Sequence, residues 1–368
     1  MKIAILGTRG IPNYYGGFEQ FCEYLSLGLA QKGHEVVVYN SSEHPYQDDI
    51  YKDVQIIHKP CKESRLGAFA HFLYDFYCTR DAIKKDEFDI LLHCGYQSAA
   101  PAIWFFRRKK TIMVCNMDGL EWKRDKWPLP VKKLTKYLEK MVVKSCNYLI
   151  SDNIGIQEYY KQVHNVSSKY IAYGSEIDIS VDPSYLEDYN VKPYEYHIIV
   201  ARLEPENNID TILQAYDISD PEYPILVVGK KNTKYSKYLL EKYSVNKKIR
   251  FIGGVYNKPI LDSLRKYSKI YFHGHTVGGT NPSLLESMAL GCLIAYHNND
   301  FNHSTLKGNG IPFKNFQDII SIIRGTELGE IEFEDKKRKE CIKTIRSDYS
   351  WQKIIDEYES YFKTILEK

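Results

Sequence analysis

Arg202 follows directly on the apolar run Tyr196-His-Ile-Ile-Val-Ala201. An arginine at the end of a strand suits a phosphate, because its planar fork can make two parallel hydrogen bonds to one anion. The alternative is a surface ion pair with Glu204 or Glu206. A second segment with chemical content is His273-Gly-His-Thr-Val-Gly-Gly-Thr-Asn-Pro-Ser-Leu-Leu-Glu286. Gly278, Gly279 and Thr280 read as a turn that opens a helix, with Asn281 as its N-cap and Pro282 at its first position. Free backbone N–H groups and the positive end of the dipole would then face an anion. Glu286 lies one turn farther in, among Leu284, Leu285 and Met288. A carboxylate there needs a partner, either a ribose hydroxyl or an internal cation.

The third such segment is Gly7-Thr-Arg-Gly-Ile-Pro-Asn-Tyr-Tyr-Gly-Gly-Phe-Glu-Gln20. Gly16 and Gly17 precede a helix, where small residues let an anionic or sugar-bearing ligand approach the unpaired N–H groups. A tight strand-to-helix turn would use the same glycines. The loop does not match GxGxxG, and the second strand ends at Tyr39-Asn40 without an acid for a ribose, which disfavours a nicotinamide enzyme. No P-loop occurs. In the same half, His93-Cys-Gly-Tyr-Gln97 and Asn116-Met-Asp-Gly-Leu-Glu-Trp122 follow strands. Asp118 is a candidate to orient an acceptor hydroxyl or contact a donor sugar, with Glu121 as a second carboxylate. Either could instead pair with Lys123 and Arg124. His93, after a buried strand, reads as structural.

Charge is concentrated from Arg107 to Lys144. Twelve basic residues, among them Arg107, Arg108, Lys109 and Lys110, stand against four acids, with Trp104, Phe105, Phe106, Trp122 and Trp127 interleaved. Cations and interfacial aromatic groups together suit an anionic membrane surface. The bland reading is a solvated helix face. Nucleic acid could use the same charges, but no nucleic-acid module accompanies them, and the whole chain carries a net charge of only +3.

Positioning these residues requires strands that end where the loops begin. Short runs, apolar throughout, alternate with amphipathic stretches, the pattern of parallel strands covered on both faces. Strands are expected at Lys2–Gly7, Glu35–Asn40, Val54–His58, Phe88–His93, Thr111–Asn116, Asn147–Ser151 and Tyr170–Tyr173. After a polar segment at Ser180–Tyr194 the rhythm restarts at His197–Ala201, Pro224–Gly229, Ile249–Gly253, Ile270–His273 and Cys292–Tyr296. The clearest helices are Phe18–Gly33, Pro130–Ser145, Pro282–Leu290 (stopped by Gly291) and Trp351–Leu366. The chain therefore reads as α/β twice over, with ligand sites at the carboxyl ends of the strands.

With 368 residues, 43% hydrophobic and 26% charged, the chain has the balance and length of two globular domains. Its longest apolar stretch, Ser98–Phe106, is about half the roughly 20 residues that span a bilayer. The N-terminus enters a strand without a signal-peptide core, so a cytoplasmic, non-spanning protein is expected. Eight scattered cysteines show no metal spacing and read as reduced buried thiols.

Taken together, Tyr15-Gly-Gly-Phe-Glu19, Ala201-Arg-Leu-Glu-Pro-Glu206 and Gly279-Thr-Asn-Pro-Ser-Leu-Leu-Glu-Ser-Met-Ala-Leu-Gly291 resemble glycosyltransferase family 4 of the GT-B fold. Gly7-Thr-Arg-Gly-Ile-Pro12 and Val200–Asn208 are similar to its bacterial rhamnosyltransferase-like branch. The resemblance covers the whole chain. It implies two Rossmann-like doubly wound domains facing each other across a cleft, an acceptor domain at 1–185 and a nucleotide-sugar domain at 195–348, with the terminal helix 351–368 returning to the first.

The implied activity is a retaining, metal-independent transfer of a hexose or deoxyhexose to a lipid-linked saccharide at the inner face of the plasma membrane. The implied donor is a nucleotide diphosphate sugar such as dTDP-rhamnose. No cofactor is expected, and no Asp-x-Asp occurs in the sequence. Donor contacts would come from Gly16, Gly17, Arg202, Gly279, Thr280, Asn281 and Glu286, and catalysis from Arg202 and Asp118. Arg107–Lys110, Trp122 and Trp127 would serve the acceptor and the membrane. Two positions depart from the family: Gly278 stands where its first glutamate is usual and Asn207 where a lysine is usual, so that Lys230 or Lys231 becomes the candidate replacement cation. A nucleotide-sugar epimerase of the same fold and a non-catalytic, membrane-surface sugar-binding protein are the alternatives.

Overall fold

The computed structural model describes residues 1–107, 110–117, 119–124, 127–177, 179–331 and 334–368. The chain divides into two compact units, one of 1–122, 128–174 and 351–368, the other of 123–127 and 175–350. Each is an α/β Rossmann-like domain built on its own sheet.

In the first unit eight strands lie in the order β3-β4-β2-β1-β5-β6-β7-β8. They are β1 (Lys2–Leu6), β2 (Glu35–Ser41), β3 (Ile50–Tyr51), β4 (Val54–Lys59), β5 (Ile90–Cys94), β6 (Ile112–Asn116), β7 (Tyr148–Ser151) and β8 (Lys169–Tyr170). All pairs are parallel except β3 with β4. Ile3, Ala4, Ile5 and Leu6 are wholly buried, as their unbroken apolar run requires when helices cover both faces. Tyr39, Tyr74, Cys78 and Leu91 continue that core on one face.

The terminal helix Trp351–Leu366 buries Trp351, Ile354, Ile355, Tyr358, Phe362 and Ile365, the face its spacing marks. It belongs to the first unit and packs on the helix Gly17–Gln31. A Cβ on Gly28 would fall 2.2 Å from Ile355 Cδ1, so this mid-helix glycine is required by close approach of the two helices.

The second sheet has the order β11-β10-β9-β12-β13-β14, all parallel. Its strands are β9 (His197–Val200), β10 (Ile225–Val228), β11 (Ile249–Gly253), β12 (Ile270–His273), β13 (Ile294–His297) and β14 (Ile311–Phe313). This is the doubly wound order 3-2-1-4-5-6, whose direction of winding reverses between β9 and β12. Ile199, Val227, Phe272, Ile212 and Ile323 share its core.

Three elements differ from the sequence expectation. The run Tyr170–Tyr173 pairs only at its start, because the chain then turns to pack against Trp351: a Cβ on Gly174 would lie 2.4 Å from that indole ring. β14 was not expected, since Pro312 interrupts its apolar run. Proline is tolerated there because β14 is an edge strand paired on one side only. β3 is two residues long and leaves no periodic signal.

Candidate active site

In the second unit the loops after β9, β10 and β12 are stitched together at the carboxyl edge of the sheet, around the point where the winding reverses. Asn208 donates from Nδ2 to the Gly274 carbonyl at 3.0 Å. Thr276 donates both its N–H (3.0 Å) and its hydroxyl (2.9 Å) to the Glu206 carbonyl. A Cβ on Gly274 would sit 2.2 Å from the Asn207 carbonyl oxygen, and one on Gly229 would sit 2.4 Å from that of Ala201. Both glycines are therefore demanded by backbone approach.

Arg202 projects from this stitched loop with an exposed side chain. Its own carbonyl is held by Asn207 Nδ2 at 2.7 Å and by the Glu204 N–H at 2.8 Å, so the backbone carrying the guanidinium is fixed. Asn207 thus braces the loop from the position where the resembling family has a lysine. Neither Glu204 nor Glu206 pairs with Arg202. Glu206 is buried, and its Oε1 lies 3.5 Å from Arg124 Nη1. Lys230 stands over the Tyr256 ring at 5.4 Å, and Lys231 donates to the Phe251 carbonyl at 3.0 Å.

At the end of β12, its last residue His273 and the following His275 stack with ring centroids 4.3 Å apart. Burial pushes the His273 imidazolium down to about 3. Burial, then His273, Arg202 and Arg124, push His275 well below the usual range, so both rings are neutral. Asn302 Nδ2 and Asn299 Nδ2 each donate to the His275 carbonyl at 2.9 Å, which fixes the turn that follows. Gly278 takes a positive φ of 139°, Thr280 is buried, and Asn281 caps the helix Pro282–Ala289 by accepting the Ser283 N–H at 2.9 Å. The sequence did not single out His275, and it offered Arg124 only as a partner for Asp118 or Glu121, whereas the fold gives it Glu206. A His-x-His run at a strand end was the available signal for the first; no spacing links the second to Glu206.

Glu286 has a protein partner. Its Oε2 lies 2.7 Å from Nη2 of the buried Arg265, which also pairs with Asp262 at 2.9 Å. Lys258 bridges Asp262 and Glu176 at 2.5 and 3.0 Å, completing a row of alternating charge. Burial acts to lower the pKa of Arg265, but Glu286, Tyr271 and Asp262 outweigh it and hold the guanidinium charged. No described residue donates to Glu286 Oε1, and the side chain keeps 16% exposure.

In the first unit the loop after β1 is clamped by Asn40, whose Oδ1 accepts the Ile11 N–H at 3.0 Å while Nδ2 donates to the Ile11 carbonyl at 2.7 Å. Gly10 fits because a Cβ would lie 2.2 Å from the Asn40 side chain. Arg9 is anchored by two bonds to Glu63, at 2.8 and 3.0 Å. Gly16, before the helix Gly17–Gln31, has φ −179°, extended backbone open to any residue, and a Cβ would meet only Glu19 at an ordinary 3.7 Å. Turn geometry therefore does not require this glycine.

His93 is fully buried and pushed down to about 4 by burial. Trp122 donates from Nε1 to the buried Glu139 at 3.1 Å, and Glu139 also accepts from Tyr159 (2.7 Å) and His164 (2.8 Å). The face of the Trp122 ring is covered by Lys136 Nζ at 4.4 Å. Lys110 is exposed, Arg107 sits over the Trp104 ring at 4.6 Å, and Trp127 is half-buried. Asp118, Arg108 and Lys109 lie outside the described residues. Among the described residues no cluster of His, Cys, Asp and Glu is placed to hold a metal ion, and no helix is long and apolar enough to cross a membrane.

Residues 1–176 match the family described as Domain of unknown function (DUF1972), and residues 182–347 match Glycosyl transferases group 1. No curated protein matches the chain. Among solved structures it is similar to sucrose-phosphate synthase (tll1590) from Thermosynechococcus elongatus, with TM-score 0.82 and 13% identity over 100% of this chain and 99% of the other. It is also similar to the catalytic domain of starch synthase IV from Arabidopsis thaliana bound to ADP and acarbose, with TM-score 0.75 and 11% identity over 100% and 99%. Anabaena Alr3699/HepE in complex with UDP gives TM-score 0.70 and 14% identity over 99% and 100%. At these identities the likeness shows the fold, which is GT-B.

Proposed function

We propose that this chain, a GT-B protein whose residues 182–347 are a glycosyl transferases group 1 domain, transfers a sugar from a nucleotide diphosphate donor to a lipid-linked saccharide. The observation that carries the reading is the stitched set of loops at the β9/β12 reversal. It offers an exposed Arg202 on a fixed backbone, a neutral His275 and the capped helix start at Thr280 and Asn281.

Breaking the bond between sugar and phosphate leaves negative charge on the departing diphosphate. Arg202 and the N–H groups around Gly279, Thr280 and Asn281 are preorganised to receive that charge, and such placement is the main catalytic device in reactions of this type. Lys230 adds a cation beside them, whereas Lys231 is already engaged by the Phe251 carbonyl. Glu286, oriented by Arg265, accepts a ribose hydroxyl at Oε1. The Gly16-Gly17 loop and Asp118 serve the sugar and the acceptor.

In this reading the transferred sugar is rhamnose and dTDP-rhamnose the donor, transfer retains configuration without a metal, and the protein works on the inner face of a bacterial membrane in cell-surface polysaccharide synthesis. Sequence motifs carry the choice of sugar. The exposed Trp104, Phe105, Leu134 and Tyr137 among lysines support the membrane site.

The test is a panel of nucleotide sugars incubated with and without a lipid-linked acceptor. Transfer that requires the acceptor, greatest with dTDP-rhamnose, is expected. Conversion of the nucleotide sugar in the absence of acceptor would make the chain an epimerase, and binding without turnover would make it a sugar-binding protein.

A further inference from the structure

The first unit contains a cavity of about 640 Å³ between the end of β4 and the helix Phe69–Lys85, with no lining residue from the loops that follow β1, β5 and β6. Ala70, Leu73, Tyr77, Arg80, Asp81 and Lys84 line it from that helix. Their spacing of three and four residues places them on one stripe. The stripe is apolar in its first half and charged in its second. Leu66 adds to the apolar part, and Leu66 and Tyr77 are themselves exposed. The volume is that of a small-molecule site.

The charges do not cancel. Asp81, the one acid in the lining, is consumed within the protein: Lys59 Nζ lies 2.7 Å from one of its oxygens and the Tyr39 hydroxyl donates to the other at 3.0 Å. Lys62, Arg80 and Lys84 line the same cavity, all exposed, and none pairs with a described carboxylate. Three unpaired cations beside an apolar wall match a group carrying nearly two negative charges attached to a hydrocarbon.

We propose that this cavity binds a phosphate-bearing amphiphile, its phosphate on Arg80, Lys84 and Lys62 and its chain against Leu66, Leu73 and Tyr77. The site is separate from the sugar-transfer machinery and stands whichever sugar that machinery uses. Its wall is nevertheless tied to the loop after β1, because Glu63, next to Lys62, holds Arg9 through two hydrogen bonds.

The experiment is calorimetric titration of the intact protein with dodecyl phosphate below its micelle-forming concentration, beside inorganic phosphate and dodecyl maltoside. Saturable binding of one dodecyl phosphate is expected, at least about tenfold tighter than either control, since charge-assisted bonds and chain burial each contribute at that level. Arg80→Ala/Lys84→Ala should weaken it about tenfold or more, and Tyr77→Ala should weaken it through the chain. Lys62→Ala, on another segment, repeats the charge test if the double variant melts early. Equal binding of dodecyl maltoside, binding of phosphate alone as tight as that of the amphiphile, or unchanged affinity in the folded charge variants would overturn the proposal.

Discussion

Arg265 Nη2 stands 2.7 Å from Glu286 Oε2, and this contact gives the carboxylate of the late motif two tasks. One oxygen neutralises a buried guanidinium; the other is open to a ligand. Replacing Glu286 by Gln keeps the shape but removes the charge, leaving Asp262 as the one carboxylate that pairs with Arg265 among the described residues. A hydrogen bond to a charged group contributes roughly 1.5 to 3 kcal/mol, so a lowered unfolding midpoint is expected together with weaker UDP or dTDP binding. Calorimetric nucleotide titration beside a melting curve separates the two tasks. Unchanged nucleotide affinity would remove Glu286 from the donor site even if the midpoint falls.

Arg202 presents the opposite case, an exposed side chain on a fixed backbone. Arg202→Ala should lower kcat by about 10² to 10³, the cost of losing one preorganised donor to developing charge. Substitution away from the packed core should move stability by no more than about 0.5 kcal/mol. Parental turnover in the folded variant would end the clamp assignment.

Asp75 predicts a pH dependence unrelated to catalysis. It is buried on the helix Phe69–Lys85, its Oδ2 has no hydrogen-bond partner, and burial pushes its carboxyl up to about 7, against a smaller lowering from Ser98. Between about pH 4, the unfolded value, and pH 7 the native state holds a proton that the unfolded chain has released. This group therefore removes stability as pH rises through that window. The buried neutral His93 and His273 act in the other direction, because their folded values of about 4 and about 3 lie below the unfolded one. Asp75→Asn isolates the first contribution: its stability relative to the parent should grow from pH 5 to pH 8, by on the order of 3 kcal/mol. Urea unfolding at pH 5, 6, 7 and 8 measures it, and a difference that does not change with pH would show Asp75 ionised in the native state.

The two sheets were legible because parallel strands covered on both faces need unbroken apolar runs, and residues 3–6 and 198–200 are such runs. The terminal helix was legible from its stripe alone. What spacing did not show were pairings between distant segments. Arg265 meets Glu286 across two helices, Arg124 meets Glu206, and Asn208 holds Gly274, each brought together by the β9/β12 neighbourhood or the packing around it. Trp122 shows the same limit: in the sequence it is an aromatic among lysines, and in the fold its indole N–H is held by the buried Glu139.

The surface reading of the cationic segment can be tested on residues the fold leaves outside. Along the helix Leu129–Ser145, Lys133, Tyr137, Lys140 and Lys144 are exposed at spacings of four, three and four with Leu134 exposed beside them, and Trp104 and Phe105 are exposed on the helix Ala100–Phe106. Binding to vesicles should require anionic lipid and weaken as salt shortens the screening length from roughly 10 Å at 0.1 M towards 3 Å at 1 M. Replacing Lys133, Lys140 and Lys144 by Gln removes at most about 3 kcal/mol, at about 1 kcal/mol for each basic residue near the surface. Leu134→Gln removes apolar contact without touching charge, so its effect should persist at high salt. Transfer to a short soluble acceptor should continue in both variants while transfer to a bilayer-embedded one falls. Equal sedimentation of parent and variants with anionic and neutral vesicles would leave this face a solvated surface.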